Sequence, residues 1–376
     1  MIYREFQDLS LSALGLGMMR LPVFDGDENR INEAAAMEMV DRAMASGINY
    51  YDTAWGYHGG NSELVAGKAL SRYPRDSFYL ASKFPGYDLS NFGKTGKIFE
   101  KQLEKCQTDY FDFYLFHNVC EMNIDAYLDR SYGTFDYLIE QKKNGRIRHL
   151  GFSAHGDLDV MRRFLAAYGE HMEFCQLQIN WFDWEFQKAK EKYELVQAMG
   201  IPVWVMEPLR GGKLARLGDE DFGRLQALRP TETAAGWAFR FVQSLPGVKM
   251  ILSGMSDMEQ LEQNLATFAT DEPLNEEETQ TLLDIAREMA ARTAVPCTGC
   301  RYCTSYCPLE LDIPRLLELY NEHVFTGGGF LAPMVIETLP EEKRPGACLG
   351  CGACAAVCPQ SIDIPGALSD FNDRLQ

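Results

Sequence analysis

Eight of the eleven cysteines fall into two copies of one pattern, Cys297-x2-Cys300-x2-Cys303-x3-Cys307-Pro308 and Cys348-x2-Cys351-x2-Cys354-x3-Cys358-Pro359. The last quarter of such a chain must fold around something that takes thiolates in threes and fours. Three cysteines at this interval wrap one side of an iron–sulfur cubane, and a fourth follows just before Pro. Zinc is the competing reading, but its sites usually pair cysteines across a longer folded stretch rather than packing four thiols into eleven residues and repeating them. Disulfides fit less well. Met1-Ile2-Tyr3-Arg4 opens on a polar, strand-like stretch with no secretory signal, so a reducing cytoplasm is the expected compartment.

The double motif resembles that of two-cluster ferredoxins, in which the Cys before Pro ligates the other cluster. The resemblance implies two 4Fe-4S clusters. One would be held by Cys297, Cys300 and Cys303 with Cys358, the other by Cys348, Cys351 and Cys354 with Cys307. About 40 residues separate the two motifs, more than in the compact bacterial ferredoxin. They contain a helical Pro314–Val324, the run Gly327-Gly328-Gly329 and an apolar Leu331–Leu339, which resembles the mostly α-helical dicluster domain of respiratory iron–sulfur subunits. Each motif ends in a matching tail, Leu311-Asp312-Ile313-Pro314 and Ile362-Asp363-Ile364-Pro365, so the region reads as an internal repeat.

The remaining cysteines, Cys106, Cys120 and Cys175, share no spacing and read as small buried apolar groups. A chain of 376 residues exceeds one ordinary core, so two domains are expected. These are residues 1–270, a linker over 271–292 read as an amphipathic helix from Leu274 to Arg292, and the cysteine domain 293–376. No apolar run nears the ~20 residues that span a bilayer, so membrane insertion is not expected. A net charge of −18 argues against a nucleic-acid partner, which needs a basic footprint. Part of that charge, Asp271-Glu272 and Glu276-Glu277-Glu278, reads as an acidic helix start, with docking of a basic redox partner as the sharper alternative.

Along the first domain, eight short β-rich runs alternate with amphipathic stretches: Ala13–Gly17, Ile48–Tyr51, Phe78–Ser82, Phe111–Phe116, Ile147–Phe152, Phe174–Ile179, Val203–Met206 and Lys249–Leu252. The intervening helical stretches include Ala34–Ala45, Lys94–Cys106, Tyr127–Lys143, Leu158–Ala167 and Lys188–Met199. Eight β–α units of this size predict an α/β fold, a TIM (β/α)8 barrel followed by the small helical domain. A doubly wound sheet would carry a Gly-rich fingerprint after its first strand, and Gly15-Leu16-Gly17-Met18-Met19-Arg20 lacks one. In a barrel, chemistry gathers at the C-terminal strand ends. Those ends carry Asp52, Lys83, His117, Ser153, Asn180, Glu207 and Ser253. A lone His such as His149 is better read as a packed polar residue.

Several landmarks in order then resemble the aldo/keto reductases. They are Leu14-Gly15-Leu16-Gly17, Tyr51-Asp52-Thr53-Ala54-Trp55-Gly56-Tyr57, Leu80-Ala81-Ser82-Lys83-Phe84 and Asp112-Phe113-Tyr114-Leu115-Phe116-His117. The match spans roughly residues 1–268. It implies an oxidoreductase with a catalytic set of Asp52, Tyr57, Lys83 and His117; with the clusters alongside, the expected reaction is reduction of a carbonyl or related unsaturated small molecule by hydride from NAD(P)H, by electrons through the clusters, or both. Hydride transfer to a carbonyl leaves an alkoxide, so a proton donor with a lowered pKa is wanted. Tyr57 is the candidate, with Lys83 favouring its phenolate and Asp52 holding Lys83.

Carried over likewise, Ser153, Gln176 and Asn180 would grip the nicotinamide carboxamide. Pro208, Leu209, Gly211 and Lys213 belong to the loop over the pyrophosphate, and Asn264 would reach the adenine. The chain departs from the family pattern at Ala154, Met206 and Glu207. At Gly254 and Gln260, members that prefer NADPH place cations, so an NADP preference is not expected. Trp55, Tyr87, Cys120, Trp181 and Trp184 suggest an aromatic-lined mouth.

Hydride brings two electrons whereas a cubane takes one, and no flavin motif bridges them. The expected partners are therefore a small-molecule substrate and a ferredoxin or flavoprotein that exchanges electrons with the clusters. The alternative is an electron-transfer iron–sulfur protein whose barrel docks or senses. An intact general acid weighs against it.

Overall fold

In this computed structural model, all residues are described except 294, 298, 300, 302 and 359, and only the backbone of 292 and 293. The sequence-predicted ligand Cys300 and Pro359 of the second motif thus lie outside the described residues. The chain divides into two compact units, Met1–Leu283 and Asp284–Gln376. A single helix, Glu276–Thr293, runs through the boundary where the sequence predicts a linker helix.

The first unit begins with a hairpin, β1 (Tyr3–Phe6) and β2 (Leu9–Ser12), followed by eight parallel strands. These are β3 (Leu14–Gly17), β4 (Tyr50–Asp52), β5 (Tyr79–Phe84), β6 (Phe111–Val119), β7 (Ile147–Ala154), β8 (Cys175–Gln178), β9 (Val203–Met206) and β10 (Val248–Ser253). They pair in sequence order, and β10 closes on β3, making a complete barrel. Runs such as Phe111-Asp112-Phe113-Tyr114-Leu115-Phe116 are apolar on both faces because one face fills the barrel and the other lies under the helices. Tyr50, Phe113, Phe174, Trp204, Met250 and Leu252 form the interior, joined from below by Phe6 and Leu11 of the hairpin. Phe6 meets Trp204 edge-on with ring centroids 4.9 Å apart. The hairpin therefore seals the N-terminal end.

Where the sequence predicts one helix over Tyr127–Lys143, the structure has two, Ile124–Leu128 and Thr134–Lys143. Gly133 parts them in a left-handed conformation, φ 69°, that only glycine adopts without cost. His149 is packed, as its isolation suggests: it stacks on Phe113 at 4.9 Å and bonds Glu173 at 2.9 Å. The acidic segment before the cysteine region is partly internal. Glu278 is 6% exposed and pairs with Arg229 at 2.6 Å, and Glu272 approaches Arg240 at 3.4 Å. Ion pairing of this kind favours the structural reading of those acids over a docking surface.

In the second unit the two motif tails start equivalent helices, Ile313–Thr326 and Ile364–Arg374, each with Pro in its first turn, where no N–H is missed. The helices pack through buried Leu316, Leu317, Leu368 and Phe371, and Tyr320 donates to Asp370 at 2.7 Å. Between them in sequence lies a third helix, Leu331–Glu337. No helix among the described residues is long and apolar enough to cross a membrane.

Candidate active site

The polar strand ends meet at the C-terminal mouth of the barrel. Asp52 closes β4, Lys83 is the penultimate residue of β5, and His117 and Ser153 sit near the ends of β6 and β7. Lys83 is fully buried, and its ammonium donates to Asp52 Oδ1 at 2.6 Å, to the Thr53 carbonyl at 2.8 Å and to the Tyr57 hydroxyl at 3.3 Å. Three acceptors match its three protons. Burial works against the charge, but Asp52 and Tyr57 hold the Lys83 pKa above its usual value.

Tyr57 departs from the expectation of a lowered pKa. Burial pushes its phenol up, Lys83 opposes that, and Asp52 and Glu207 add to the rise. The hydroxyl is therefore protonated at neutral pH rather than a phenolate. His117 is held well below the usual imidazole range by burial and by Lys83, so it is neutral. Its ring stands edge-on to Tyr57 and to Tyr87, with centroids at 6.0 and 5.4 Å. The backbone under it is fixed by Tyr127, whose hydroxyl donates to the His117 carbonyl at 2.8 Å.

The sequence-predicted nucleotide contacts divide. Ser153 Oγ accepts the Asn118 amide at 2.8 Å, which ties the ends of β6 and β7 together. Gln176 gives its Nε2 to Met206 Sδ at 3.6 Å and leaves Oε1 buried without a partner. An orphaned carbonyl at the mouth fits the amide donor of a carboxamide. Asn180 is engaged already: Nδ2 donates to Asp183 at 2.7 Å and to the Glu207 carbonyl at 3.0 Å, and Oδ1 accepts the Asp183 amide at 2.8 Å. Asn264 donates to Ser253 at 3.1 Å. Pro208, Leu209, Gly211 and Lys213 lie in a loop where Glu207, Arg210, Gly211 and Gly212 all have positive φ. The loop is pinned from within by Arg210, 4% exposed, which bonds both Asp183 oxygens at 2.9 and 3.0 Å.

Two residues escaped the sequence. Arg20, on the loop after β3, lies along Gly254, where an added Cβ would meet Arg20 carbons at 3.2 Å, and reaches Glu207 at 3.2 Å. It brings a cation to that side of the mouth, neutralised by its partner; Arg following Met18-Met19 carried no signal. Asn321 fixes the approach to the first cysteine motif through the backbone of Val295, at 2.7 and 2.9 Å.

Of the predicted aromatic lining, Tyr87 is at the mouth, with its hydroxyl so close to Gly56 that a Cβ there would lie 2.3 Å away. Trp55 packs under Lys105 at 4.7 Å. Trp181 and Cys120 are buried, and Trp184 packs on Tyr193 and Phe241 instead.

In the second unit, Cys307 of the first motif borders the same recess as Cys348, Cys351 and Cys354 of the second. The Leu311 amide points at Cys307 Sγ from 3.5 Å. Among the described residues no three His, Cys, Asp or Glu side chains converge as one metal ion would require. Thiols set around one recess fit a cluster, whose ligands attach at separate corners. Cys303 is buried and Cys297 and Cys358 are partly so.

Comparison with known proteins agrees with both units. The signature of the aldo/keto reductase family matches residues 13–287, and that of a 4Fe-4S dicluster domain matches residues 296–362. The NADH-specific methylglyoxal reductase of Escherichia coli (strain K12) is 27% identical over 308 residues, 69% of this chain and 91% of that protein. The holo form of aldo-keto reductase AKR11C1 from Bacillus halodurans superposes with a TM-score of 0.62 at 25% identity, covering 76% of this chain and 96% of that one. An aldo-keto reductase from Klebsiella pneumoniae in complex with NADPH shares the fold, with a TM-score of 0.59 at 24% identity over 76% of this chain and 96% of its own. With nearly three quarters of its length matched, the chain belongs to the aldo/keto reductase family, and it is an oxidoreductase of that family extended by a 4Fe-4S dicluster domain.

Proposed function

We propose that the barrel reduces the carbonyl of a small molecule, with Tyr57 as proton donor. The observation that carries this reading is the buried Lys83, which contacts Asp52 and Tyr57 at once from the end of β5. As a carbonyl oxygen gains negative charge, Tyr57 gives it a proton, and the adjacent ammonium stabilises the phenolate left behind. Asp52 keeps the ammonium charged and aimed. Neutral His117 can hydrogen-bond the same oxygen.

A bound nicotinamide supplies the hydride. Gln176 is the residue readiest to hold its carboxamide, with Ser153 beside it, while Asn180 contributes through the turn it braces. Lys213 and the loop from Pro208 would cover the pyrophosphate, and Asn264 the adenine. Gln260 donates to Asp257 and accepts from the Ser256 amide, and Gly254 offers no side chain, so no selectivity for a 2′-phosphate is proposed.

In the second unit, Cys348, Cys351 and Cys354 with Cys307 would hold one cluster, and Cys297, Cys300 and Cys303 with Cys358 the other. Held by these cysteines, the clusters would supply a one-electron route to a ferredoxin or flavoprotein. A second reading, an electron carrier whose barrel only docks or senses, draws support from Asn180, whose hydrogen bonds are internal.

Anaerobic titration with NADH and NADPH, following the cluster absorbance, separates them. Nucleotide binding accompanied by turnover of a dicarbonyl such as methylglyoxal supports reduction, and Tyr57→Phe should then lower turnover about 100-fold or more while nucleotide binding stays intact. No binding of either nucleotide would leave the carrier reading.

A further inference from the structure

The residue after the proposed acid is bound more tightly than its neighbours require. Tyr57–Gly60 form a single tight turn in which His58 has φ 52°, ψ 44° and Gly59 φ 62°, ψ 23°. A left-handed conformation costs histidine free energy, so something in the fold must hold it there. The His58 side chain has no exposed surface. The Leu21 amide donates to its Nε2 at 3.1 Å, so that nitrogen carries no proton. Nδ1, 2.7 Å from the Glu28 carbonyl oxygen, must then be the donor. One imidazole, in one tautomer, with the Glu28 carboxylate a further 3.8 Å from Nδ1, thus joins two points seven residues apart on the loop that follows β3.

That loop is held at its ends by other bonds. The Met18 amide donates to the Asp52 carbonyl at 2.8 Å, and Ser62 Oγ to the Met18 carbonyl at 2.8 Å. Asn61 donates to the Asn29 carbonyl at 3.2 Å, and a Cβ on Gly59 would lie 2.2 Å from Asn29 Oδ1. His58 fills the interval between these anchors. Because the turn is short, its attachment to the loop fixes the direction in which Tyr57, one residue earlier, leaves the backbone.

We infer that His58 is a positioning residue for Tyr57, clamping the loop after β3 onto the turn so that the phenol stays within reach of Lys83. The role rests on Tyr57 acting as the acid, but the geometry of the clamp stands apart from it. The groups facing the phenol are Lys83, Asp52, His117, Tyr87 and Glu207. Losing register with Lys83 removes the one neighbour that lowers its pKa.

The test uses the full chain with its clusters, purified anaerobically. His58→Asn tolerates the left-handed backbone but cannot reach both loop groups. His58→Gln can reach one of them. Unfolding temperature and iron content check that each variant is folded. With methylglyoxal as probe, His58→Asn should lower kcat about 10- to 100-fold, with KM and nucleotide affinity nearly unchanged, and His58→Gln should fall between it and the wild type. The Tyr57 phenol, isolated by ultraviolet difference titration against Tyr57→Phe, should titrate at higher pH in His58→Asn. If a folded His58→Asn keeps the wild-type phenol titration, the inference is overturned. Should the wild type reduce no carbonyl, the proposed reaction fails, and the phenol titration still decides the role of His58.

Discussion

The barrel mouth and the cysteine recess organise reactive side chains by opposite means. At the mouth the protein supplies both partners of most contacts, Gln176 Oε1 excepted: Lys83 has its three acceptors, Asn180 its turn, and Ser153 the Asn118 amide. In the recess it supplies thiols, Cys354 from a short helix, Ala353–Ala356, and the others from loops, with Cys351 exposed, Cys348 partly so and Gly350 and Gly352 at positive φ around them. A site whose charges are paired within the fold keeps its shape in the apo state. One that gathers four thiols around a recess draws part of its folding free energy from the metal.

The sharpest way to break this contrast is to remove cysteines in pairs. If Cys307 serves the second motif, Cys307→Ser with Cys348→Ser should cost about four iron per chain, whereas Cys307→Ser with Cys303→Ser should cost about eight. Iron analysis giving the reverse would assign each motif its own cluster. Turnover at the mouth, with NADH and methylglyoxal, should outlast either loss if the two regions work independently.

Next in size is Lys83→Met, which leaves Asp52 buried without its cation. We expect turnover to fall at least about 1,000-fold, and stability to drop by about 3–5 kcal/mol, as when one half of a buried pair is removed. Urea unfolding followed by tryptophan emission reports on the barrel alone, since all five tryptophans lie in the first unit.

The smallest effect concerns the sealed end of the barrel. Burial alone would raise the Glu173 carboxyl, but bonds from His149, Lys142, Gln7 and the Leu150 amide hold its pKa at about 2. A carboxylate depressed in the folded state stabilises above its unfolded pKa, near 4.5, and that contribution is lost as pH falls toward 2. The urea midpoint of the tryptophan signal should therefore decline between pH 5 and pH 3 in the wild type, and less steeply in Glu173→Gln. Equal slopes would remove Glu173 from the account.

What was legible in the sequence follows the same division. Parallel strands buried on both faces leave unbroken apolar runs, so the eight strands of the barrel could be placed, and repeated cysteine spacing marked the second unit. Asp52, Lys83 and His117 were legible because each ends such a run. Contacts across the mouth were not. Arg20 meets Glu207 from 187 residues away, and nothing local to either announces it. Nor could sequence weigh burial against charge: it named Lys83 as the neighbour of Tyr57 but gave the wrong sign to the net shift of the phenol. The helix over Tyr127–Lys143 failed at Gly133, where apolar periodicity continued through a residue whose backbone did not.

The hairpin that fills the lower end of the barrel has a kinetic consequence. With Phe6 and Leu11 packed into the interior from below, Lys83 and Gln176 can be approached from one direction only. A vessel with a single opening is served in sequence, and whatever settles deepest must arrive first and depart last. Where two molecules must meet here with one lying beneath the other, they form an ordered queue, and the slow step of a cycle can be the emptying of the vessel rather than the chemistry inside it.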